Sequence, residues 1–308
     1  MNLDKMNIGI VVPKTTKSRA YKRVSEELST LGCRPFPLPV NESVVEIIDE
    51  QVLIKRRVGE CLARVIMDGA LMRLGSASVK SFGLVNAMEA RKIPVTANAL
   101  DIKVAGDKLL SGIRLSEKGI PTPHTIAAIS ASNRKIIPPI VDRVQDTTKT
   151  PLIVKTRSGS CGNGVTLVES RRGAISHLEA IGKPSLVQKM IQPSHIDTRV
   201  IVVDNNIVAS MQRVGDDRDF RANLGKKGTG SNYVITDNQA ELALKTAEAS
   251  GLGIVGVDIM TDSILEKDYV IEYNSNPGLE IENITGINVA RQMARYAVKL
   301  AIEGYGKY

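Results

Sequence analysis

Several residue types are scarce in this 308-residue chain. It has no Trp, and aromatic residues make up only 3% of it, so it is poor in the stacking platforms that bind single-stranded nucleic acid. Its basic residues are scattered instead of clustered. We therefore expect no nucleic-acid partner, although the formal charge is +8. This charge fits nucleotide phosphates or an acidic substrate, and a merely basic surface is the equal alternative.

Long apolar runs are also missing. No stretch approaches the roughly 18 apolar residues that cross a bilayer, and residues 1–6 lack the basic-then-apolar order of a signal peptide. Cys33, Cys61 and Cys161 are odd in number and widely spaced, which is typical of reduced thiols. We therefore expect a cytoplasmic protein without a membrane partner.

Apolar runs and amphipathic stretches alternate along the chain. The β-branched run at 7–12 predicts a first buried strand. Further strands are predicted around 63–67 and 93–96, with helices between them, and this order predicts a small parallel α/β unit over the first hundred residues. The polar segment 130–150 predicts a loop or linker. Apolar residues at helical spacing predict a last helix over 289–304.

Later strands are predicted in neighbouring pairs. Residues 197–203 and 207–214 flank Asp204-Asn205-Asn206, a hairpin signal because Asn tolerates the positive φ of tight turns. Residues 253–260 and 269–273 form a second pair.

The strongest chemical signal lies on this second pair. A period of two puts Glu272 and Asn274 on one face of a strand, and Asp258 interrupts an apolar run on its neighbour. If these strands pair, three oxygen-bearing side chains converge, as Mg²⁺ or Mn²⁺ requires. A solvated strand face is the alternative, but a buried unpaired charge is costly. The pattern therefore predicts a divalent-cation site.

A second signal is the glycine-rich turn that follows the strand at 151–155. Gly159, Gly162 and Gly164 allow backbone N–H groups to approach a polyphosphate, and Lys155 adds a positive charge at the strand end. The turn has neither the Walker A sequence nor the dinucleotide-binding fingerprint. Taken alone, it is equally typical of an ordinary hairpin.

A third cluster combines acidic and basic side chains. Asp197 and Arg199 lie on one predicted hairpin strand, Arg213 lies at the end of its partner, and Arg221 and Asn223 follow. Guanidinium groups suit phosphate and carboxylate oxygens, and they can neutralise charge on a transferring phosphoryl group. A surface salt-bridge network is the equal alternative.

Taken in this order, the segments resemble the ATP-grasp superfamily and, within it, the RimK-like amino-acid ligases. The resemblance covers residues 93–301 and is most specific over 272–280, which reads Glu-Tyr-Asn-Ser-Asn-Pro-Gly-Leu-Glu. Gly256-Val257-Asp258 is similar to the partner strand of the family's metal site. Asp219-Phe220-Arg221-Ala222-Asn223 matches a segment typical of this subgroup, and 105–108 resembles the family's first nucleotide-contacting lysine.

The resemblance implies an α/β and α+β protein, in which a small N-terminal parallel α/β (pre-ATP-grasp) domain precedes a two-lobed ATP-grasp fold. The implied domains are residues 1–100, 101–187 and 188–308. Adenine would lie at the hinge 186–191, where Lys189 replaces an acidic residue common in the family. The residues implied to contact ATP are Lys108, Lys155, Ser158, Gly159, Ser160, Gly162, Gly164, Gln188, Lys189, Met190, Ile191 and Asp197. Those implied at the reacting groups are Arg199, Arg213, Arg221 and Asn223, beside Mg²⁺ or Mn²⁺ on Asp258, Glu272 and Asn274.

The implied activity is an ATP-dependent carboxylate–amine ligase that forms an acyl phosphate and then an amide. An amino acid such as glutamate would be joined to an acidic small molecule or to the C-terminus of a peptide or protein. Related enzymes imply a homodimer or homotetramer. Phosphoryl transfer needs positioning and charge neutralisation more than covalent groups from the protein, so no catalytic His is expected. The alternatives are an ATP-grasp kinase acting on a hydroxyl and a nucleotide-binding regulator without turnover.

Overall fold

The structure is a computed structural model that describes residues 6–14, 18–75, 81–129, 134–148, 151–159, 164–193, 195–215 and 228–304. Within these ranges the strands form four sheets, and no helix is both long and apolar enough to cross a lipid bilayer. Cys33 and Cys61 are free thiols, and Cys161 lies outside the described residues.

A parallel sheet of three strands begins the chain. Its order is β2 (Arg34–Pro39), β1 (Asn7–Val12) and β6 (Gly69–Met72). The first strand predicted from sequence is confirmed, and Ile8 and Val11 are fully buried on its two faces. Burial on both faces explains why this strand is a continuous apolar run instead of an alternating one.

A separate antiparallel sheet lies between β2 and β6 in the chain. Its strands are β3 (Ser43–Ile48), β4 (Gln51–Val58) and β5 (Cys61–Arg64). The strand predicted around 63–67 overlaps β5, but its assignment to the parallel unit is wrong, because residues 61–64 pair antiparallel with β4 and the parallel strand begins at Gly69. The strand predicted at 93–96 is only an isolated bridge between Ala70 and Val95. Pro94 cannot donate to a ladder, which limits pairing there.

The central part of the chain forms an antiparallel sheet. Its order is β7 (Thr125–Ala127), β10 (Ser185–Lys189), β8 (Leu152–Thr156) and β9 (Val165–Val168). Val154 and Val187 project from one face into a core with α5 (Ile137–Thr148) and α6 (Arg171–Ile181). The opposite face carries Lys155 and Gln188, because side chains alternate along a strand.

The loop predicted over 130–150 is wrong for residues 137–148, which form α5. Pro138 and Pro139 lie in the first turn of this helix, where a missing N–H breaks no intrahelical hydrogen bond. Val141 and Val144 are fully buried, so the helix is held by its apolar face.

The largest sheet belongs to the C-terminal part. Its order is β13 (Thr229–Asn232), β12 (Asn206–Val214), β11 (Ile196–Val203), β14 (Ile254–Asp262) and β15 (Lys267–Asn274). Both predicted strand pairs are confirmed. Asp204 and Asn205 have φ values of 52° and 58°, as expected for a two-residue turn of this hairpin type.

Helices connect and cover these sheets. The last helix, α9 (Val289–Gly304), is confirmed as predicted, and it packs against both β6 and α1 (Arg19–Thr30). The remaining helices are α2 (Phe82–Ala90), α3 (Ala99–Ala105), α4 (Lys108–Glu117), α7 (Asp237–Ser250) and α8 (Ile281–Thr285). The domain boundaries at 100/101 and 187/188 stay predictions, and the second falls inside β10.

Candidate nucleotide and metal site

The predicted cation ligands meet on one face of the C-terminal sheet. Asp258 lies opposite Glu272 on β15 and opposite Arg199 on β11, and directly paired residues project from the same face. Asn274 Nδ2 lies 3.5 Å from Glu272 Oε1. The described residues contain no cluster of three or more His, Cys, Asp or Glu side chains around a metal-sized space. The candidate set instead consists of two carboxylates and an amide.

Asp258 is held by two guanidinium groups. Arg199 donates from Nε to Oδ1 at 2.7 Å and from Nη2 to Oδ2 at 2.6 Å, and Arg213 Nη2 lies 3.0 Å from Oδ2. Burial alone would raise the pKa of Asp258, but the two arginines outweigh it and hold this pKa well below its usual range. A carboxylate offers about four lone-pair positions, so one position on Oδ1 remains for a cation.

Arg213 also binds Asp197. Its Nε and Nη2 donate to the two Asp197 oxygens, both at 2.6 Å. Burial raises the pKa of Asp197 against the pull of Arg213. The salt-bridge network considered from sequence therefore exists, but it is buried, since Arg213 is only 2% exposed. Arg221 and Asn223 lie outside the described residues.

Lys155 lies on the facing central sheet. Its Nζ donates to Gln188 Oε1 at 2.7 Å, and Gln188 Nε2 donates to Thr125 Oγ1 at 2.8 Å. Burial lowers the pKa of Lys155 to about 8, while the carboxylates of Glu272 and Asp258 act in the opposite direction. The charge of Lys155 therefore interacts with carboxylates that belong to the C-terminal sheet.

Lys108 is tied to the start of the glycine-rich turn. Asp107 caps α4 by accepting from two backbone N–H groups of its first turn, and it also forms a bidentate ion pair with Arg157. Lys108 Nζ donates to Gly159 O at 3.0 Å. These contacts therefore fix the start of α4, with Lys108, against the start of the glycine-rich turn, with Arg157.

The described part of the turn joins β8 to β9, which pair as an antiparallel hairpin. Gly164 has a φ of +72°, and a Cβ at this position would lie 2.3 Å from Thr156 Oγ1, so only glycine fits. Ser158 and Gly159 are exposed, while Ser160 and Gly162 lie outside the described residues. A phosphate-binding role for the turn stays a prediction.

A cavity of about 360 Å³ lies between α4, the central sheet and β15. This volume lies within the range of small-molecule sites. Lys108, Lys155 and Gln188 line it as expected, together with Thr125 and Ile271, which the sequence did not indicate. Thr125 pairs with Gln188, a contact that no local pattern reveals.

Ile271 reaches the cavity because of an irregularity in β15. The register between β14 and β15 shifts there, so Val270 and Glu272 pair with consecutive residues of β14 and Ile271 has no partner. A bulge of this kind redirects the extra side chain.

The hinge residues follow directly after Gln188. Ile191 is buried and Met190 is half-buried. Lys189 Nζ forms an ion pair with Asp262 Oδ2 at 3.2 Å, and Lys189 N–H donates to His124 O at 2.8 Å. The ion pair of Lys189 with Asp262, at the end of β14, therefore connects the central sheet to the C-terminal sheet.

Comparison with solved structures identifies the class of fold. The ATP-grasp ligase PsnB complexed with a minimal precursor matches with a TM-score of 0.74 at 16% identity, over 96% of this chain and 99% of that chain. PsnB complexed with precursor peptide PsnA2 and AMPPNP matches with a TM-score of 0.71 at 15% identity, over 96% and 98%. At these identities the likeness shows the fold, which is ATP-grasp.

Sequence comparison identifies the family. The RimK-like ATP-grasp domain matches residues 105–297. A "Probable alpha-L-glutamate ligase" of Maridesulfovibrio salexigens is 36% identical over 247 residues, covering 78% of this chain and 79% of that protein. A "Probable alpha-L-glutamate ligase 2" of Hahella chejuensis is 29% identical over 309 residues, covering 98% of each. The chain belongs to the RimK-like ATP-grasp family of carboxylate–amine ligases.

The buried ammonium of Lys155 predicts that nucleotide binding depends on pH. Because its pKa is lowered to about 8, Lys155 loses its charge as the pH rises through that value, and a triphosphate is then held less tightly. We expect the Kd for ATP, measured by isothermal titration calorimetry, to rise by up to about tenfold per pH unit above this value. Lys155→Arg keeps the charge and should remove the dependence. A flat profile in the unmodified chain would contradict the prediction.

The Lys189–Asp262 pair predicts an effect on stability. Lys189→Glu puts a second carboxylate beside Asp262, whose side chain is 4% exposed, so we expect the free energy of unfolding to fall by roughly 1–3 kcal/mol. Adding Asp262→Lys restores a pair of opposite charges, so part of the lost free energy of unfolding should return. The recovery is incomplete because Asp262 also accepts from two backbone N–H groups.

The control for this stability test is Lys299→Glu. Lys299 pairs with Asp204 at the surface, with side chains 49% and 35% exposed, and its loss should cost less than about 1 kcal/mol. Urea unfolding of all variants gives the comparison. Equal losses at the two lysines would show that Lys189 makes only an ordinary surface contact.

Proposed function

We propose that this ligase uses ATP and Mg²⁺ to join an amino acid, such as glutamate, to the carboxylate of an acidic small molecule or of a peptide or protein C-terminus. The observation that carries the proposal is the buried Lys155, which lines the cavity together with Lys108 and Gln188 and interacts electrostatically with Glu272 and Asp258 of the C-terminal sheet. The names of the relatives support glutamate as the amino acid. A peptide acceptor is supported by PsnB, which was solved with its precursor peptide.

The charges of the candidate site fit a nucleotide with its metal. Four cations and three carboxylates of the described residues interact there: Lys108, Lys155, Arg199 and Arg213 with Asp197, Asp258 and Glu272. A triphosphate supplies further negative charge, and divalent cations compensate part of it. Asp258 Oδ1, Glu272 and Asn274 offer the hard oxygen ligands that Mg²⁺ prefers.

The proposed reaction has two steps. A carboxylate oxygen of the acceptor attacks the γ-phosphorus while the bond to the β–γ bridging oxygen breaks, which gives an acyl phosphate and ADP. The amino-acid nitrogen then attacks the carbonyl carbon, phosphate leaves, and the nitrogen gives up a proton. Mg²⁺, when bound, neutralises phosphate charge during the transfer.

The protein contributes charge and position to these steps. Lys108 and Lys155 neutralise phosphate oxygens, and Gln188 orients Lys155 through its 2.7 Å hydrogen bond. Arg199 and Arg213 keep Asp258 ionised and fix its direction. We propose that Arg221 and Asn223 act beside them at the acyl phosphate, as the family resemblance implies.

We further propose the domain division 1–100, 101–187 and 188–308. The first boundary is supported because the sheets of residues 1–100 share no strand with the later sheets, whereas the second boundary divides β10 of the central sheet. The candidate site then lies between the second and third domains.

The product distinguishes a ligase from an ATP-grasp kinase. We expect ADP release only when an acid and an amino acid are both present, and a product mass equal to the sum of the two minus water. The measurement is an ADP-release screen of acids crossed with amino acids, followed by mass spectrometry. A stable phosphorylated hydroxyl without an amide would support the kinase instead.

Glu272 provides the test of the metal site. Glu272→Gln keeps the shape but removes the charge, so we expect turnover to fall by about 100-fold and the Mg²⁺ concentration for half-maximal rate to rise. Glu266→Gln makes the same chemical change in the exposed β14–β15 turn and should have no effect. Turnover at the unmodified level in Glu272→Gln, with unchanged Mg²⁺ dependence, would remove Glu272 from the site.

A further inference from the structure

A continuous chain of side-chain hydrogen bonds crosses the central sheet beside the cavity. Lys155 Nζ donates to Gln188 Oε1 at 2.7 Å, and Gln188 Nε2 donates to Thr125 Oγ1 at 2.8 Å. The hydroxyl group of Thr125 in turn donates to Pro123 O at 2.7 Å. Because β7 is an edge strand and β8 is an inner strand, this chain of bonds connects the proposed phosphate-binding lysine to the edge of the sheet.

The chemistry of the groups fixes the direction of each bond. An ammonium group can only donate, so the amide atom that faces Lys155 must be the oxygen of Gln188. The amide nitrogen of Gln188 then faces Thr125, and the hydroxyl oxygen of Thr125 has to accept from it. The hydroxyl hydrogen is left for the carbonyl oxygen of Pro123, which can only accept. The orientation of the Gln188 amide therefore depends on a charged group at one end and on a hydroxyl group at the other.

The strand registers bring these side chains together. Thr125 is paired directly with Gln188, and Lys155 is paired with Leu186, two residues before Gln188. Direct and diagonal neighbours in an antiparallel sheet project from one face and lie within reach of each other. The outer end of the chain of bonds is rigid, because Pro123 is buried and its ring fixes the backbone φ.

The hydroxyl group of Thr125 is needed to keep Gln188 in place. Among the described residues, Thr125 Oγ1 is the acceptor that Gln188 Nε2 contacts. Without this hydroxyl, a half-buried amide N–H would lie against an apolar group, which is costly. Gln188 would then turn towards solvent, and its oxygen would leave Lys155. The ammonium group of Lys155, on its flexible four-carbon stem, would lose the hydrogen bond that orders it.

The order of Lys155 is important for the binding of phosphate. A side chain that is held in its bound position before the ligand arrives loses less conformational entropy on binding. An ammonium group has more donors than the one that Gln188 uses, so donors of Lys155 remain for phosphate oxygens.

We propose that Thr125 is a positioning residue for nucleotide binding, which acts through Gln188 to hold Lys155 where the phosphates of ATP bind. The inference rests on the proposed function, in which Lys155 neutralises phosphate oxygens. Thr125 also lines the cavity, so a direct contact with the nucleotide is the alternative that the experiment has to separate.

The test measures the binding of ATP with Mg²⁺ to the full chain, without any acid or amine, by isothermal titration calorimetry. Thr125→Val keeps the size of the side chain and removes the hydroxyl group, so we expect the Kd to rise by about tenfold. Thr125→Ser keeps the hydroxyl group, and its Kd should lie within about twofold of that of the unmodified chain. An unchanged Kd in Thr125→Val would overturn the proposal.

A second substitution shows whether Thr125 acts through Gln188. Gln188→Leu removes the amide, so Lys155 loses its partner whether or not the hydroxyl group of Thr125 is present. We expect Gln188→Leu to raise the Kd by about tenfold or more, and adding Thr125→Val should change it further by less than about twofold. If the two effects multiply instead, Thr125 contacts the nucleotide independently and the positioning role is overturned.

The matched control is Thr30→Val. Thr30 is the last residue of α1, and its hydroxyl group donates to Glu26 O at 2.9 Å, so the substitution also removes a hydrogen bond from a hydroxyl to a carbonyl group. The Kd for ATP should stay within about twofold. If Thr125 has a structural role alone, Thr125→Val will behave like this control, with a loss of stability in urea unfolding and an unchanged affinity for ATP.

The outcome is separable from that of the proposed function. If no acid and amine pair releases ADP while the Kd values change as described, the proposed ligase reaction fails and the positioning role stands. If ADP is released but Thr125→Val binds ATP as tightly as the unmodified chain, the positioning role fails and the proposed function stands.

Discussion

The carboxylate of Asp258 stays ionised inside the C-terminal sheet because Arg199 and Arg213 bind it from two neighbouring strands. A buried charge without such partners is costly enough to change its protonation state or to open the fold. The two arginines stabilise the ionised carboxylate of Asp258 and leave one of its lone-pair positions for a cation. Arg213 also binds Asp197. The two carboxylates and the two guanidinium groups therefore form one network of buried ion pairs.

The central sheet supplies the complementary half. Lys155 is buried beside Gln188 and interacts electrostatically with Glu272 and Asp258, and Lys108 lies at the start of α4 and lines the same cavity as Lys155. Neither sheet holds the complete proposed site, because Lys155 lies on the central sheet whereas the proposed cation ligands Asp258, Glu272 and Asn274 lie on the C-terminal sheet. The ion pair between Lys189 and Asp262 connects these two sheets directly beside the hinge. The distance between the sheets at this point therefore depends on that ion pair.

Local patterns predicted which side chains share a strand face. Glu272 and Asn274 do lie on one face of β15, because a period of two in a strand fixes that face. The contact between Lys189 and Asp262 spans 73 positions in sequence, and Ile271 depends on a bulge, so neither leaves a local signal. The β3–β4 hairpin was missed for a different reason, because Asp49 and Glu50 adopt φ values of 46° and 63° without the Asn or Gly that usually signals such a turn. Helix α5 was missed because Pro138 and Pro139 are typical of loops, although the first turn of a helix accepts them.

The final helix has a consequence for how the chain is made. α9 packs on β6 and α1, and its Ala297 and Ala301 belong to one apolar cluster with Ile8 and Leu71 of the parallel sheet. The apolar side chains of β1 and β6 are therefore covered by residues that lie more than 200 positions later in the sequence. During synthesis these strands keep apolar surface exposed until α9 has been made.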